Sequence, residues 1–210
     1  MIAADGVDPR YLRLPHAEPG MAIGLFGGSF NPAHEGHLLV AQTALKRLAL
    51  DRVWWIVTPG NPLKAGRDSA PLAERIAGCE ALARDPRMVV TAFEAAHGFR
   101  YTADTLAWVK ARNRGVDFVW MMGADSLRDF HRWQRWGRIA ATFPIAVFDR
   151  PGATLSFLSS QAAQALRWAM VDEEDAALLA RMRPPAWSFV RGPRSSLSST
   201  EIRSRGAGRG

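Results

Sequence analysis

The sequence predicts an α/β protein with a Rossmann-like, doubly wound parallel sheet that carries helices on both faces. Short apolar runs alternate with amphipathic helical stretches at least five times along the 210 residues. That alternation is typical of right-handed βαβ units, which assemble into a parallel sheet. Some runs, such as Val53–Val57, are almost continuously apolar, as expected for strands that are buried on both faces.

The individual elements follow from periodicity and from turn residues. Apolar runs predict strands over residues 21–27, 53–57, 88–93, 118–122, 144–148 and 187–190. Spacings of three and four after Gly36 place four residues on one face of a helix: Leu38, Ala41, Leu45 and Leu48. Further helices are predicted from Pro71, from Thr102, in short pieces over 124–141, and over 152–185. A Ser/Thr cluster before Glu201 predicts one more helix start within 198–205.

Length and composition fit one domain. Hydrophobic residues make up 48% of the chain and charged residues 22%, which is ordinary for a globular core. Residues 1–20 are rich in proline, glycine and charge without any period, so we expect a flexible tail there, a single domain over 21–205 and a short tail over 206–210. The chain lacks an apolar run of membrane-spanning length and a signal-peptide pattern, which predicts a cytoplasmic protein with no membrane partner.

Charge and cysteine content exclude several kinds of site. The net charge is +7, but all but three of the 27 basic residues are arginine, which indicates a compositional bias as readily as an anionic partner. We see no basic groove interleaved with stacking aromatics and expect no nucleic-acid partner. Cys79 is the single cysteine, so an internal disulfide and a cysteine metal cage are excluded. Monomer and homo-oligomer both stay open.

The most informative segment joins the first strand to the first helix, over residues 27–37. Ligands of open α/β sheets bind at this edge, where strands end. Glycines allow backbone N–H groups to approach a phosphate, and the helix that follows presents its positive end. The segment is neither a dinucleotide fingerprint nor a P-loop, because the glycine and lysine spacings of those motifs are absent.

Two histidines, His34 and His37, stand three residues apart at the start of that helix. Side chains at this spacing share a face, so both imidazoles can point at one anion. A lone histidine is more often a packed or surface residue, and a zinc pair would need further ligands that no nearby cluster supplies. The pair therefore favours a functional site for phosphates, with no bound metal of its own.

The His-x-Gly-His pattern after a Gly-Gly-Ser-Phe-Asn-Pro turn resembles the nucleotidylyltransferase superfamily. The fuller resemblance is to bacterial nicotinate-nucleotide adenylyltransferases and runs from about Ile23 to Arg203. Three other stretches carry it: Tyr101–Leu106, the Gly-Ala-Asp-Ser block over 123–126 that is followed by Trp133, and the Ser-x-Thr-x-x-Arg signature over 198–203. The chain ends soon after Arg203, whereas many members of that family continue into another apolar segment.

The resemblance implies transfer of AMP from ATP to nicotinate mononucleotide, with pyrophosphate released. It implies that His34 and His37 are catalytic and contact the triphosphate. The other implied ATP-binding residues are Gly27, Gly28, Ser29, Phe30, Lys64, Asp125, Ser199, Thr200 and Arg203. The implied residues for nicotinate mononucleotide are Tyr101, Thr102, Trp133 and Arg150. Mg²⁺ is expected with ATP, held mainly by substrate oxygens and water.

Each of these side chains also has a simpler interpretation. Lys64 alone would be read as a solvated loop lysine, and Asp125 as a helix N-cap no less readily than as a ribose ligand. Trp133 could be a core aromatic rather than a platform for a pyridine ring. The Ser/Thr–Arg segment could be only a capping box.

Two other functions stay open. A sister enzyme would use nicotinamide mononucleotide or phosphopantetheine as the acceptor, although the segment at Tyr101 and Trp133 argues against phosphopantetheine. A non-catalytic nucleotide- or RNA-binding module on the same fold would suit the basic charge. The intact histidine pair argues for catalysis, because a binding module does not need it.

Overall fold

A seven-stranded, fully parallel sheet organises the part of the chain that the computed structural model describes, residues 6–60, 69–149 and 159–192. The strand order is β3-β2-β1-β4-β5-β7-β6. The strands are β1 Ala22–Gly28, β2 Arg52–Val57, β3 Met88–Thr91, β4 Asp117–Gly123, β5 Ile145–Phe148, β6 Met170–Val171 and β7 Trp187–Val190.

Helices connect the strands and cover the sheet. The α-helices are α1 Glu35–Arg47, α2 Leu72–Leu82, α3 Phe93–His97, α4 Thr102–Arg112, α5 Ala124–Asp129, α6 Trp136–Thr142 and α7 Gln161–Ala165. Four 3-10 helices among the described residues span Pro9–Leu12, Phe130–Arg132, Arg167–Ala169 and Glu173–Arg181. None of the described helices is both long and apolar enough to cross a membrane.

The sheet separates two apolar layers, as the sequence predicted. Trp54 and Trp55 are neighbours on β2 and are both fully buried, but they belong to opposite layers. The layer with Trp55 packs against α1, α2 and the 3-10 helix Glu173–Arg181. The layer with Trp54 packs against α3 to α7. Burial on both faces explains the continuous apolar runs and confirms the Rossmann-like fold.

The chain reverses direction across the sheet at β1. It runs outward from β1 through β2 to β3 and then returns to place β4 on the other side of β1. In doubly wound sheets this reversal opens a crevice at the carboxyl ends of the two central strands. The turn after β1 and the start of α5 after β4 both lie at that edge.

Three stretches differ from their predicted structure. β3 ends at Thr91 and Phe93 already begins α3, so the apolar run there is split between two elements. The predicted helical region 152–185 contains, in its described part, the two-residue strand β6, which pairs with β7 at one edge of the sheet. A strand this short, with flanking residues that suit helices, gives no period-2 signal.

The segment before β1 is the third difference. Residues 1–20 were expected to form a loose tail, but Pro9–Leu12 form a 3-10 helix capped by the Asp8 side chain. The Tyr11 carbonyl accepts hydrogen bonds from Ala92 N at 2.7 Å and from Thr91 Oγ1 at 3.1 Å. These bonds join the segment to the chain at the end of β3, the other edge strand of the sheet. Such long-range bonds leave no trace in local composition.

A buried carboxyl lies beneath the first turns of α4. Glu94 is only 9% exposed, and the Thr105 hydroxyl donates a hydrogen bond to its Oε1 at 2.5 Å. Burial raises the pKa of Glu94 to about 7, because a carboxylate is poorly solvated there, and the Thr105 hydrogen bond opposes that rise only in part.

We expect the free energy of unfolding to fall as pH rises through the pKa of Glu94. A raised carboxyl pKa means that the folded protein binds the proton more tightly, so the stabilisation is complete below about pH 4.5 and is lost as pH rises through about 7. The full effect corresponds to about 3 kcal/mol. Glu94→Gln cannot ionise and should lose this pH dependence. Urea unfolding of both proteins between about pH 5 and about pH 8 tests the expectation, and parallel pH profiles would contradict it.

Candidate nucleotide site

The turn after β1 is shaped by glycines that admit aromatic rings. A Cβ atom on Gly27 would lie 2.4 Å from a ring carbon of Trp120, and one on Gly28 would lie 3.2 Å from the Phe30 ring. A side chain at Gly27 would therefore displace Trp120, and one at Gly28 would fit only if the Phe30 ring shifted by a few tenths of an ångström. The same lack of side chains leaves the backbone of the turn open to close approach by a phosphate.

Phe30 is the pivot of the turn. Its φ of +45° lies in the left-handed region, which costs energy for a residue with a side chain. Its ring is 2% exposed and stacks on Trp55 with centroids 5.3 Å apart. The ring also meets His37 edge-on at 5.0 Å. Burial of this aromatic side chain offsets the backbone strain, and it sets the direction in which the chain enters α1.

His34 and His37 are brought together by hydrogen bonds at the start of α1. His34 is the N-cap residue, and its Nδ1 accepts from Gly36 N at 3.1 Å. Nδ1 of His37 accepts from His34 N at 3.2 Å. The two ring centroids are 3.8 Å apart, and the side chains are 5% and 8% exposed. Because each Nδ1 accepts from a backbone N–H, each neutral ring carries its proton on Nε2.

Sequence reasoning missed Arg75, a buried arginine in α2. It is 4% exposed, and its guanidinium donates to four main-chain carbonyls: Ser29 at 2.8 Å, Thr58 at 2.7 Å, Ala70 at 3.0 Å and Pro59 at 3.3 Å. Burial lowers the pKa of Arg75. The side chain ties the turn after β1 to the chain after β2. An arginine within an amphipathic helix reads as solvated, so only the fold reveals this role.

Five of the sequence-predicted site residues lie outside the described residues: Lys64, Arg150, Ser199, Thr200 and Arg203. The chain on either side of Lys64 is nevertheless held near the turn. Ala70 N donates to the Asn31 side chain at 3.3 Å, and Arg75 contacts the carbonyls of Pro59 and Ala70. Pro59 and Ala70 therefore both lie close to the turn that contains Ser29 and Asn31.

Asp125 lies at the same edge of the sheet, one turn after β4. Gly123 is the N-cap residue of α5, and Asp125 is an exposed residue of the first helical turn. The simpler interpretation of Asp125 as the N-cap is therefore wrong. Its position beside the crevice between β1 and β4 is compatible with a contact to a ligand there.

The predicted acceptor residues come from two helix starts. Thr102 is the first residue of α4, after the extended and partly exposed Tyr101. Trp133 lies just before α6, with its ring edge-on to Phe130 at 5.4 Å and to Trp120 at 6.5 Å. Since Trp120 also lies against Gly27, aromatic packing connects Trp133 directly to the turn after β1. Trp133 is half-buried and packs on other aromatic rings, and its role as a platform for a pyridine ring stays a prediction.

Comparison with known proteins agrees with this geometry. A family model described as cytidylyltransferase-like matches residues 25–205. A Mesorhizobium japonicum protein named as a probable nicotinate-nucleotide adenylyltransferase is 70% identical over 195 residues, covering 93% of this chain and 100% of that protein. A Brucella abortus protein of the same name is 61% identical over 183 residues, covering 87% and 94%.

A solved structure has the same fold at low identity. Plasmodium falciparum nicotinic acid mononucleotide adenylyltransferase complexed with NaAD matches with a TM-score of 0.67 and 16% identity, covering 88% of this chain and 83% of that one. The histidine-bearing turn lies where the chain reverses direction across the parallel sheet. The chain belongs to the cytidylyltransferase-like family. Within that family it groups with the bacterial proteins named as nicotinate-nucleotide adenylyltransferases, which confirms the resemblance seen in the sequence.

We expect Arg75→Leu to lower the free energy of unfolding by about 2–4 kcal/mol, because buried carbonyls would lose their donors. Arg84→Leu is a matched control. Arg84 is exposed and donates to the Ala81 carbonyl at 3.2 Å, so its loss should change stability by less than about 0.5 kcal/mol. Urea unfolding measures both variants. Equal, small losses would mean that the Arg75 contacts do not stabilise the fold.

Proposed function

We propose that the chain is an adenylyltransferase that transfers AMP from ATP to nicotinate mononucleotide, giving deamido-NAD and pyrophosphate. The observation that carries the proposal is the pairing of the His34 and His37 rings, 3.8 Å apart, at the first turn of α1. The names of the bacterial relatives at 61–70% identity support the acceptor. We propose that the reaction takes place in the cytoplasm.

The chemistry needs positioned donors rather than a general base. The acceptor's phosphate has a second pKa of about 6 and is already anionic at neutral pH. One of its oxygens forms a bond to the α-phosphorus of ATP. The bond from that phosphorus to the bridging oxygen breaks, and its electron pair leaves with pyrophosphate. Catalysis then depends on alignment and on stabilisation of charge on the phosphoryl oxygens.

The histidines fit that requirement. With Nδ1 of each ring accepting from the backbone, the Nε2 N–H is the donor that each ring retains, and that of His34 is buried. The start of α1 adds the partial positive charge of a helix N-terminus. We assign His34 and His37 to the triphosphate and to the charge that develops at the α-phosphorus.

The remaining residues divide between the two substrates. We assign ATP binding to these residues: Gly27, Gly28, Ser29, Phe30, Lys64, Asp125, Ser199, Thr200 and Arg203. We assign nicotinate mononucleotide to Tyr101, Thr102, Trp133 and Arg150. In the described residues no cluster of three or more His, Cys, Asp or Glu could hold a metal ion. Mg²⁺ would enter with ATP as part of the substrate complex, coordinated mainly by triphosphate oxygens and water.

The acceptor assignment predicts a clear order of turnover. We expect pyrophosphate release from ATP with nicotinate mononucleotide at a kcat/KM at least about tenfold above that with the nicotinamide form, since the two differ by one charge in the pocket. Phosphopantetheine should give none above background. A preference for the amide would identify a sister enzyme. No release with any acceptor, from folded protein that binds ATP, would identify a binding module.

The histidine assignment predicts different effects for two substitutions at one position. His37→Asn retains an acceptor near the position of Nδ1 and removes the Nε2 donor, so α1 should fold while turnover falls on the order of a hundred- to a thousandfold. His37→Gln retains an N–H near the position of Nε2 and should lose less. ATP affinity should change far less than turnover in both. Near-normal turnover in His37→Asn, measured on protein with an unchanged melting temperature, would refute the mechanism.

A further inference from the structure

Two segments of the proposed acceptor site belong to different helices. Tyr101 and Thr102 lie at the start of α4, and Trp133 lies just before the start of α6. A ligand held between them would depend on the distance between the two helix starts. Contacts between α4 and α6 set that distance.

An ion pair joins the two segments. Arg135 Nη2 donates to both carboxylate oxygens of Asp104, each at 2.7 Å. Asp104 is two residues after Thr102, and Arg135 is two residues after Trp133. Both side chains of the pair are 39% exposed, so the fold itself does not depend on burying them.

The backbone of Arg135 is in an uncommon conformation. Its φ of 56° and ψ of 36° are left-handed, a region that residues with a Cβ seldom adopt. Its carbonyl accepts from Arg138 N at 2.8 Å and Ile139 N at 3.2 Å, while Trp136 N donates to the Trp133 carbonyl at 3.1 Å. Hydrogen bonds thus enclose Arg135 in the turn between Trp133 and α6. Glycine or asparagine would suit this position better by conformation alone.

A second contact joins the same helices away from the acceptor residues. Lys110 Nζ, near the end of α4, donates to the Thr142 carbonyl at the end of α6 at 3.1 Å. Lys110 and Thr142 lie at the ends of α4 and α6 opposite to Thr102 and Trp133. The α4–α6 pair is therefore linked at both ends, and only one link adjoins the proposed acceptor site.

We propose that the Asp104–Arg135 pair is a positioning device that sets acceptor affinity and selectivity. The proposal depends on the acceptor site described under the proposed function. The pair fixes the separation between Thr102 and the Trp133 indole, whose other side rests on Phe130 and Trp120. It also neutralises Asp104, a carboxylate in the first turn of α4, which would otherwise repel an anionic pyridine carboxylate nearby.

Arg135→Gly separates this role from a merely structural one. Glycine removes the ion pair and accepts the left-handed conformation, so the melting temperature should stay the same or rise. The KM for the acceptor should rise about ten- to a hundredfold, as expected when a positioning group is lost. The KM for ATP should stay within about twofold of wild type, because the histidine turn is untouched. The preference for nicotinate over nicotinamide mononucleotide should fall, since an unpaired Asp104 repels only the former.

Four further proteins complete the experiment. Arg135→Asn also tolerates the left-handed conformation and should behave like Arg135→Gly. Lys110→Ala removes the other α4–α6 link and should leave both KM values unchanged. The exchanged double variant, Asp104→Arg with Arg135→Asp, should recover most of the acceptor affinity that Arg135→Asp alone loses.

The proposal is overturned if Arg135→Gly keeps the wild-type acceptor KM, or if the KM values for ATP and acceptor rise together. Its failure is distinct from failure of the proposed function. The wild-type acceptor panel decides which mononucleotide is used, and the variants are then compared on that acceptor. A wild-type preference for another acceptor would refute the proposed function, while the KM comparison would still test the pair.

Discussion

The hydrogen bond from the His34 backbone N–H to Nδ1 of His37 is the contact on which the site depends. Together with the bond from Gly36 N to Nδ1 of His34, it caps α1, an arrangement whose loss costs on the order of 1 kcal/mol in other helices. The same two bonds orient both rings and keep their protons on Nε2. Turning either ring away would break its capping hydrogen bond. Capping of α1 and orientation of the proposed catalytic donors are therefore coupled.

Aromatic side chains on both faces of the sheet connect the turn after β1 to Trp133. Phe30 rests on Trp55 in one layer, and Trp120 lies over Gly27 in the other and contacts Trp133. Close-packed interiors transmit displacement because they contain little free volume. The turn and the proposed acceptor platform thus share a rigid core, although they are more than a hundred residues apart in sequence. The Asp104–Arg135 pair, in our proposal, sets the separation between Trp133 and Thr102.

The sequence predicts those features that depend on local periodicity. The strand Trp187–Val190 matches its predicted bounds, and the i, i+3 spacing of the histidines correctly predicts that their rings lie together. It fails where a feature depends on distant backbone. The contact of Tyr11 with the end of β3, the edge strand β6 and the carbonyl cage of Arg75 all require knowledge of which segments meet in space. The predicted sites on residues outside the described chain stay predictions.

Arg75 adds a charge that the motif alone does not contain. Within the described residues its hydrogen-bond acceptors are main-chain carbonyls, and these solvate a guanidinium without neutralising it. Desolvation lowers the pKa of Arg75, but arginine stays protonated in proteins. A buried charge acts through a lower effective dielectric than water does. A fixed positive charge therefore stands behind the Ser29 carbonyl and adds to the N-terminal dipole of α1. The turn that we propose for the triphosphate therefore receives positive potential from a residue that lies more than forty positions further along the chain.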